Sequence, residues 1–113
     1  MNPDIKQRWL TALRSGEYKQ GQKYLRRNGE YCCLGVLSEI IKDEVPEWRW
    51  QAYVDKDMWH WRAAADGSDA AQMIPVSVCD HIDFDREEAV YLSNMNDKGA
   101  PFSDIADYIE REL

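Results

Sequence analysis

Apolar residues recur at helical spacing near the start of the chain, where Ile5, Trp9, Leu10 and Leu13 make one stripe. Asn2-Pro3-Asp4 supplies the start signal: asparagine caps, proline suits the first helical position, and aspartate favours the positive end of the helix dipole. Ser15-Gly16 ends the pattern, so a helix is expected over about residues 3–15. The pattern then changes to Tyr24-Leu25-Arg26-Arg27-Asn28-Gly29-Glu30-Tyr31-Cys32-Cys33. Asn-Gly suits a two-residue turn that needs positive φ at both positions. It predicts strands at about 22–27 and 30–33, pairing Arg27 with Glu30, Arg26 with Tyr31, Leu25 with Cys32 and Tyr24 with Cys33. A helix from Leu34 to Ile41 follows, with Leu34, Leu37, Ile40 and Ile41 facing the core, and Asp43-Glu44-Val45-Pro46 stops it.

Tryptophan alternates with polar residues in Trp48-Arg49-Trp50 and again in Trp59-His60-Trp61. That is a strand period. A hairpin closing near Val54-Asp55 sets Trp48 opposite Trp61, Trp50 opposite Trp59 and Arg49 opposite His60, with four indoles on one face. A helix from Gln51 to Ala65 is the competing reading. Ala63 to Gln72 reads as a loop. Short helices are expected from Pro75 and over Glu87–Met95, then a turn at Asn96-Asp97-Lys98-Gly99. Ser103 is the expected cap of a last helix, whose stripe is Ile105, Ala106, Tyr108 and Ile109. The fold expected is α+β, with four to five short helices packed on one or two antiparallel hairpins in a single domain spanning 1–113.

The 113 residues carry a net charge of −7, unevenly spread. Residues 1–42 hold eight Lys/Arg against four acids, whereas the rest holds 6 basic and 17 acidic residues. A chain this acidic repels nucleic-acid backbones as a whole, while its basic third suits a phosphate-bearing ligand or an acidic protein surface. No apolar run approaches the ~20 residues of a membrane span. MNPDIKQRWL lacks the apolar block of a secretory signal, and an odd number of cysteines (Cys32, Cys33, Cys79) fits free thiols, so a cytoplasmic protein is expected.

Three segments stand out together: Trp9-Leu10-Thr11-Ala12-Leu13-Arg14-Ser15-Gly16-Glu17-Tyr18-Lys19-Gln20, YCCLGVLSEI at 31–40, and LSNMNDKGAPFSDIADYIERE at 92–112. They resemble a group of small proteins of bacteriophages and prophages with "WxxALRSGxYxQ", "CCLGVL" and "LNDxGxxFxxIADxIE" elements. The resemblance covers about residues 9–42 and 92–112. It implies a setting in the cytoplasm of a bacterial host and assigns no activity.

Candidate chemistry is sparse. Cys32-Cys33 lies at a strand-to-helix junction, where a helix N-terminus can activate a nucleophile. Cys33 with His81 or His60 as base, oriented by Asp80 or Asp83, would make a small cysteine hydrolase. The apolar neighbours of the pair argue instead for packing. Adjacent cysteines point to opposite faces of a strand, and no Cys-x₂-Cys or His-x₃-His spacing occurs, so neither a metal nor another cofactor is expected. The last helix presents Asp104, Asp107, Glu110 and Glu112, which speaks against direct DNA binding.

The tryptophans remain, as core or as an exposed anchor. The favoured expectation is a non-enzymatic accessory protein that binds and modulates a host protein, a defence component or nucleic-acid-binding protein among the targets. Its contact would combine Trp48, Trp50, Trp59 and Trp61 with Asp104, Asp107 and Glu110. The alternative is a nucleotide sponge, in which Lys19, Lys23, Arg26 and Arg27 hold phosphates beside stacking indoles.

Overall fold

A computed structural model describes residues 1–45, 48–55, 58–65, 68–70 and 72–113; of these, 53–55, 58–65, 68–70, 76 and 77 are described through their backbone. The first helix, α1 (Pro3–Arg14), begins as its sequence predicts. The Asn2 Oδ1 accepts from the backbone N–H of Asp4 at 2.9 Å and of Ile5 at 3.3 Å, and Ile5, Trp9, Leu10 and Leu13 are all buried. A two-residue strand β1 (Lys19–Gln20) comes next. Then β2 (Arg26–Arg27) and β3 (Glu30–Tyr31) form the Asn-Gly hairpin in the expected register, with φ of 53° at Asn28 and 76° at Gly29.

The strands are shorter than predicted, and both ends have a physical cause. Lys23 turns out of the ladder with φ 74°, and its N–H donates to the Asp97 carboxylate at 2.8 Å. On the other side Cys32 caps α2 (Cys33–Ile41), so Cys33 is the first helical residue and has no partner in Tyr24. Leu25 and Cys32 do meet, through a 3.3 Å backbone hydrogen bond, and both are buried. Helix α2 is enclosed on nearly every side: Val36 is fully buried, while the expected core residue Ile40 is only half-buried.

The tryptophan segment is a hairpin, not a helix: β4 (Arg49–Asp55) pairs antiparallel with β5 (Met58–Ala65). Its register differs from the expected one by four residues along the partner strand. Ala52 lies opposite Trp61, Tyr53 opposite His60 and Val54 opposite Trp59. This register keeps seven residue pairs and lets β5 run on to Ala65, where it takes β6 (Ser68–Ala70) on its other edge. The expected loop at 63–72 therefore holds two paired segments, which its alanine-rich sequence hides because it has no apolar alternation.

Arg26 pairs with Trp61, joining the two hairpins, and β1 adds parallel to β3, giving one mixed sheet in the order β1-β3-β2-β5-β4 with β6 beside β5. Helices α3 (Val76–His81), α4 (Arg86–Asp97) and α5 (Phe102–Glu112) complete an α+β fold with five helices among the described residues. Ser103 does not cap α5. The helix starts two residues earlier than that cap implies, after Pro101, and the Phe102 N–H donates to the Gln20 Oε1 at 3.1 Å, so the cap comes from β1. Within α5, Phe102 joins Ile105, Ala106 and Ile109 in the core, and Tyr108 stays partly exposed.

The turn predicts a simple result. Gly29→Val should destabilise the fold by roughly 1 kcal/mol or more, because a β-branched residue resists φ near +76°. A thermal melt of the variant checks it, and an unchanged midpoint would contradict the turn assignment.

Candidate functional site

The cysteine junction is built for packing. Cys32 and Cys33 are buried, and so is Cys79. As N-cap of α2, Cys32 accepts at its Sγ from the Gly35 N–H at 3.4 Å. The Cys33 Sγ lies 3.6 Å from the Leu92 carbonyl, and the Cys33 carbonyl accepts from the buried Trp9 indole N–H at 3.0 Å. Burial pushes the Cys32 thiol up to about 11, and it pushes Cys33 well above the ordinary thiol range. Cys79 is raised too, again by burial, against an opposing pull from Arg86. A helix N-terminus lowers a thiol pKa only where the thiolate can be solvated, and here desolvation wins. His81 is exposed at the end of α3, whereas Cys33 is fully buried, and the His60 side chain lies outside the described residues.

These raised values make an alkaline prediction. In the unfolded chain the thiols ionise near 8.5. Between there and about 11 only the unfolded chain loses the Cys32 proton, so stability is fully present below the unfolded value and is lost as pH rises through the folded one. Denaturant titrations at pH 8 and pH 10.5 should show a fall of about 2 kcal/mol or more. A Cys32→Ala variant should show a smaller fall over the same interval.

Beside the cysteines lies a junction that sequence reasoning missed. The fully buried Asn96 accepts at its Oδ1 from the Cys33 N–H at 3.2 Å and from the Gln20 Nε2 at 3.0 Å, and it donates from Nδ2 to the Gly21 carbonyl at 2.8 Å. Gln20 also donates to the Ala100 carbonyl at 2.8 Å while capping α5. One side-chain amide thus ties β1, the start of α2 and the end of α4, and a second reaches α5. Each segment of the motif resemblance contributes: Gln20 ends the opening, Cys33 lies in the centre, and Asn96 lies in the ending. The three motifs meet because they build one buried junction. A polar residue at the end of an apolar helix pattern, beside an Asn-Asp turn, was the only signal for it.

The chain matches a family profile described as a domain of unknown function (DUF8296) over residues 1–113. The chain belongs to that family. No curated protein and no solved structure matches it.

Among the expected binding residues, this DUF8296 protein brings the basic strand and the tryptophans together. The Arg26 guanidinium carbon lies 5.6 Å from the centre of the Tyr31 ring and 5.5 Å from that of Trp50. Edge-to-face contacts run Tyr18–Tyr31 at 5.2 Å, Tyr31–Trp50 at 6.3 Å and Trp50–Trp48 at 4.9 Å, forming a row across the sheet. The Trp50 indole N–H donates to the Glu39 carboxylate, which also accepts from Lys42. Burial alone would raise the Glu39 carboxyl, but these two donors hold it below its ordinary value. Trp48 is buried, so it is a foundation of the row, whereas Tyr18, Tyr31, Arg26 and Trp50 remain partly exposed. The Trp59 and Trp61 side chains lie outside the described residues. Arg27 stacks 5.6 Å over Tyr24, Lys19 sits 3.5 Å from Glu30, and Lys23 is exposed.

The acidic helix has a different role. Asp107 and Glu110 grip Arg14 at 2.9 and 3.2 Å, and Lys6 donates to the Glu110 carbonyl, so two of its carboxylates fasten α5 to α1. Asp104 is exposed. Among the described residues no group of three or more His, Cys, Asp or Glu is placed to hold a metal ion, and no helix is long and apolar enough to cross a membrane.

Proposed function

We propose that the protein is a small non-enzymatic accessory protein that binds and modulates a host protein, in the bacteriophage setting that the motif resemblance implies. A component of antiviral defence is the class of target, and the bacterial cytoplasm is the compartment this reading requires. The observation that carries it is Arg26 held between Tyr31 and Trp50 on a partly exposed sheet face. Arginine and aromatic side chains already ordered by one another lose little freedom on binding, and these residue types dominate interface hot spots. Arg26 supplies a cation on this face, so an acidic side chain of a partner protein complements it. Within this reading the basic side of the molecule is favoured over Asp104, Asp107 and Glu110, because Arg14 already engages two of the three.

The nucleotide sponge finds less support. The hollow beside Arg27 measures only about 40 Å³, and the broader one at Gln20, Gly21, Gln22, Glu30 and Gly99 has a carboxylate and no cation in its lining. The hydrolase reading needs a solvated thiolate, and burial of Cys33 opposes it.

Affinity capture from a bacterial host lysate tests the proposal, comparing the wild-type chain with Arg26→Glu and Trp50→Ala. The expected result is one discrete protein retained by the wild type and lost from both variants. A partner held equally by all three chains would place the contact elsewhere. Tryptophan fluorescence that changes on adding cyclic nucleotides would favour the sponge, and a hydrolytic activity abolished by Cys33→Ser would favour the enzyme.

A further inference from the structure

Strand β4 ends the sheet: among the described residues it pairs with β5 alone, which leaves its other edge open. Seven residues at ~3.4 Å each make an edge about 24 Å long. Proteins blunt such edges with proline, lysine or a bulge. The β4 sequence, Arg-Trp-Gln-Ala-Tyr-Val-Asp, contains neither residue, and its pairing with β5 runs without a bulge.

We infer that the open edge of β4 pairs antiparallel with β4 of a second copy of the chain, about a two-fold axis at Ala52. The register follows from the backbone. In an antiparallel ladder the residues opposite each other share one hydrogen-bonding type, so a two-fold axis must pass through a residue and not between two. Full overlap of Arg49–Asp55 with itself then puts the axis at Ala52, whichever residues direct their backbone groups outward. This register sets Arg49 opposite Asp55 of the second copy at both ends. Trp50 falls opposite Val54, an aromatic–β-branched pair of the kind that favours sheets, and Gln51 opposite Tyr53. The axis carries the smallest side chain of the strand, so the residue that must face its own copy is the one with the least bulk. A strand whose charges complement its own reverse fits an isologous contact. The sheet becomes continuous across the two copies, and the row from Tyr18 to Trp50 is doubled.

Sedimentation of the full-length chain from low micromolar to submillimolar concentration tests this. The mass should rise from 13.2 kDa towards twice that value. Arg49→Glu and Asp55→Arg each turn two attractive pairs into two repulsive ones, and each should weaken self-association by about tenfold or more. Mixed in equal amounts, the two variants should associate as well as the wild type, because both charge pairs are restored only in the mixed dimer. Should either variant lose the native far-ultraviolet spectrum, the doubly swapped chain replaces the mixture and should regain wild-type association. A wild-type chain that stays monomeric throughout overturns the inference. So do single variants that associate like the wild type, and a restored charge pairing that fails to restore the dimer.

Discussion

Gly35→Ala is expected to cost about 3 kcal/mol or more, the upper end of what overpacking a core usually does. Helix propensity alone predicts the opposite sign, since alanine is favoured over glycine inside a helix by up to about 1 kcal/mol. Packing reverses it. A Cβ at position 35 would lie 1.8 Å from the Leu25 carbonyl oxygen and 2.7 Å from its carbon. These are backbone atoms of the chain entering the Asn-Gly hairpin, so no rotamer change can relieve the clash. Either α2 withdraws from the hairpin or the Leu25–Cys32 hydrogen bond breaks. The melting midpoint should fall by more than 10 °C at about 4 °C or more per kcal/mol. An unchanged or raised midpoint would show that α2 and the hairpin do not meet as described.

The second large effect is expected at Asn96. Alanine there leaves the Cys33 N–H, the Gly21 carbonyl and one Gln20 donor contact without the amide. Cys33 is the first residue of α2, so its N–H has no partner within the helix. Leaving buried polar groups unsatisfied costs about 1–3 kcal/mol each, and a loss of about 2–4 kcal/mol is expected after partial relaxation. Asn96→Leu, which fills the volume without the hydrogen bonds, should not recover the stability. Asn96→Asp keeps the acceptor but loses the donor to Gly21 and buries a charge, so it should be destabilised as well, more so at neutral than at acidic pH. Chemical denaturation of the three variants measures all of this. Wild-type stability in the leucine variant would mean that the amide network contributes nothing.

Much of the local structure was legible from neighbouring residues. The Asn2-Pro3-Asp4 start, the Trp9 stripe and the Asn28-Gly29 turn are signals written within a few positions, and each appears where it was expected. What depends on distant partners was not. The cap of α5 comes from Gln20, 82 residues away, so Ser103 was the reasonable but incorrect choice. Strand β1 is two residues long and parallel to β3, and no periodicity can show in two residues. The tryptophan alternation correctly signalled strands, yet alternation is unchanged by a shift of an even number of residues, which is why the register could slip by four while the hairpin stood. The candidate surface was half legible. Its residue types were visible, but the joining of Arg26 to the tryptophan hairpin rests on β2–β5 pairing, and the use of Asp107 and Glu110 rests on Arg14 of a helix some 93 residues earlier.

The cysteine motif looks like chemistry and is placed like architecture, and the account stands on that distinction. Native thiol reactivity tests it directly. At mildly alkaline pH and without denaturant, an exposed-thiol reagent should find no fast-reacting group among Cys32, Cys33 and Cys79, and all three should react once the chain is unfolded. One thiol per chain that reacts rapidly in the native state, and is lost in Cys33→Ser, would contradict the account and show that the strand-to-helix junction holds an accessible, ionised thiol.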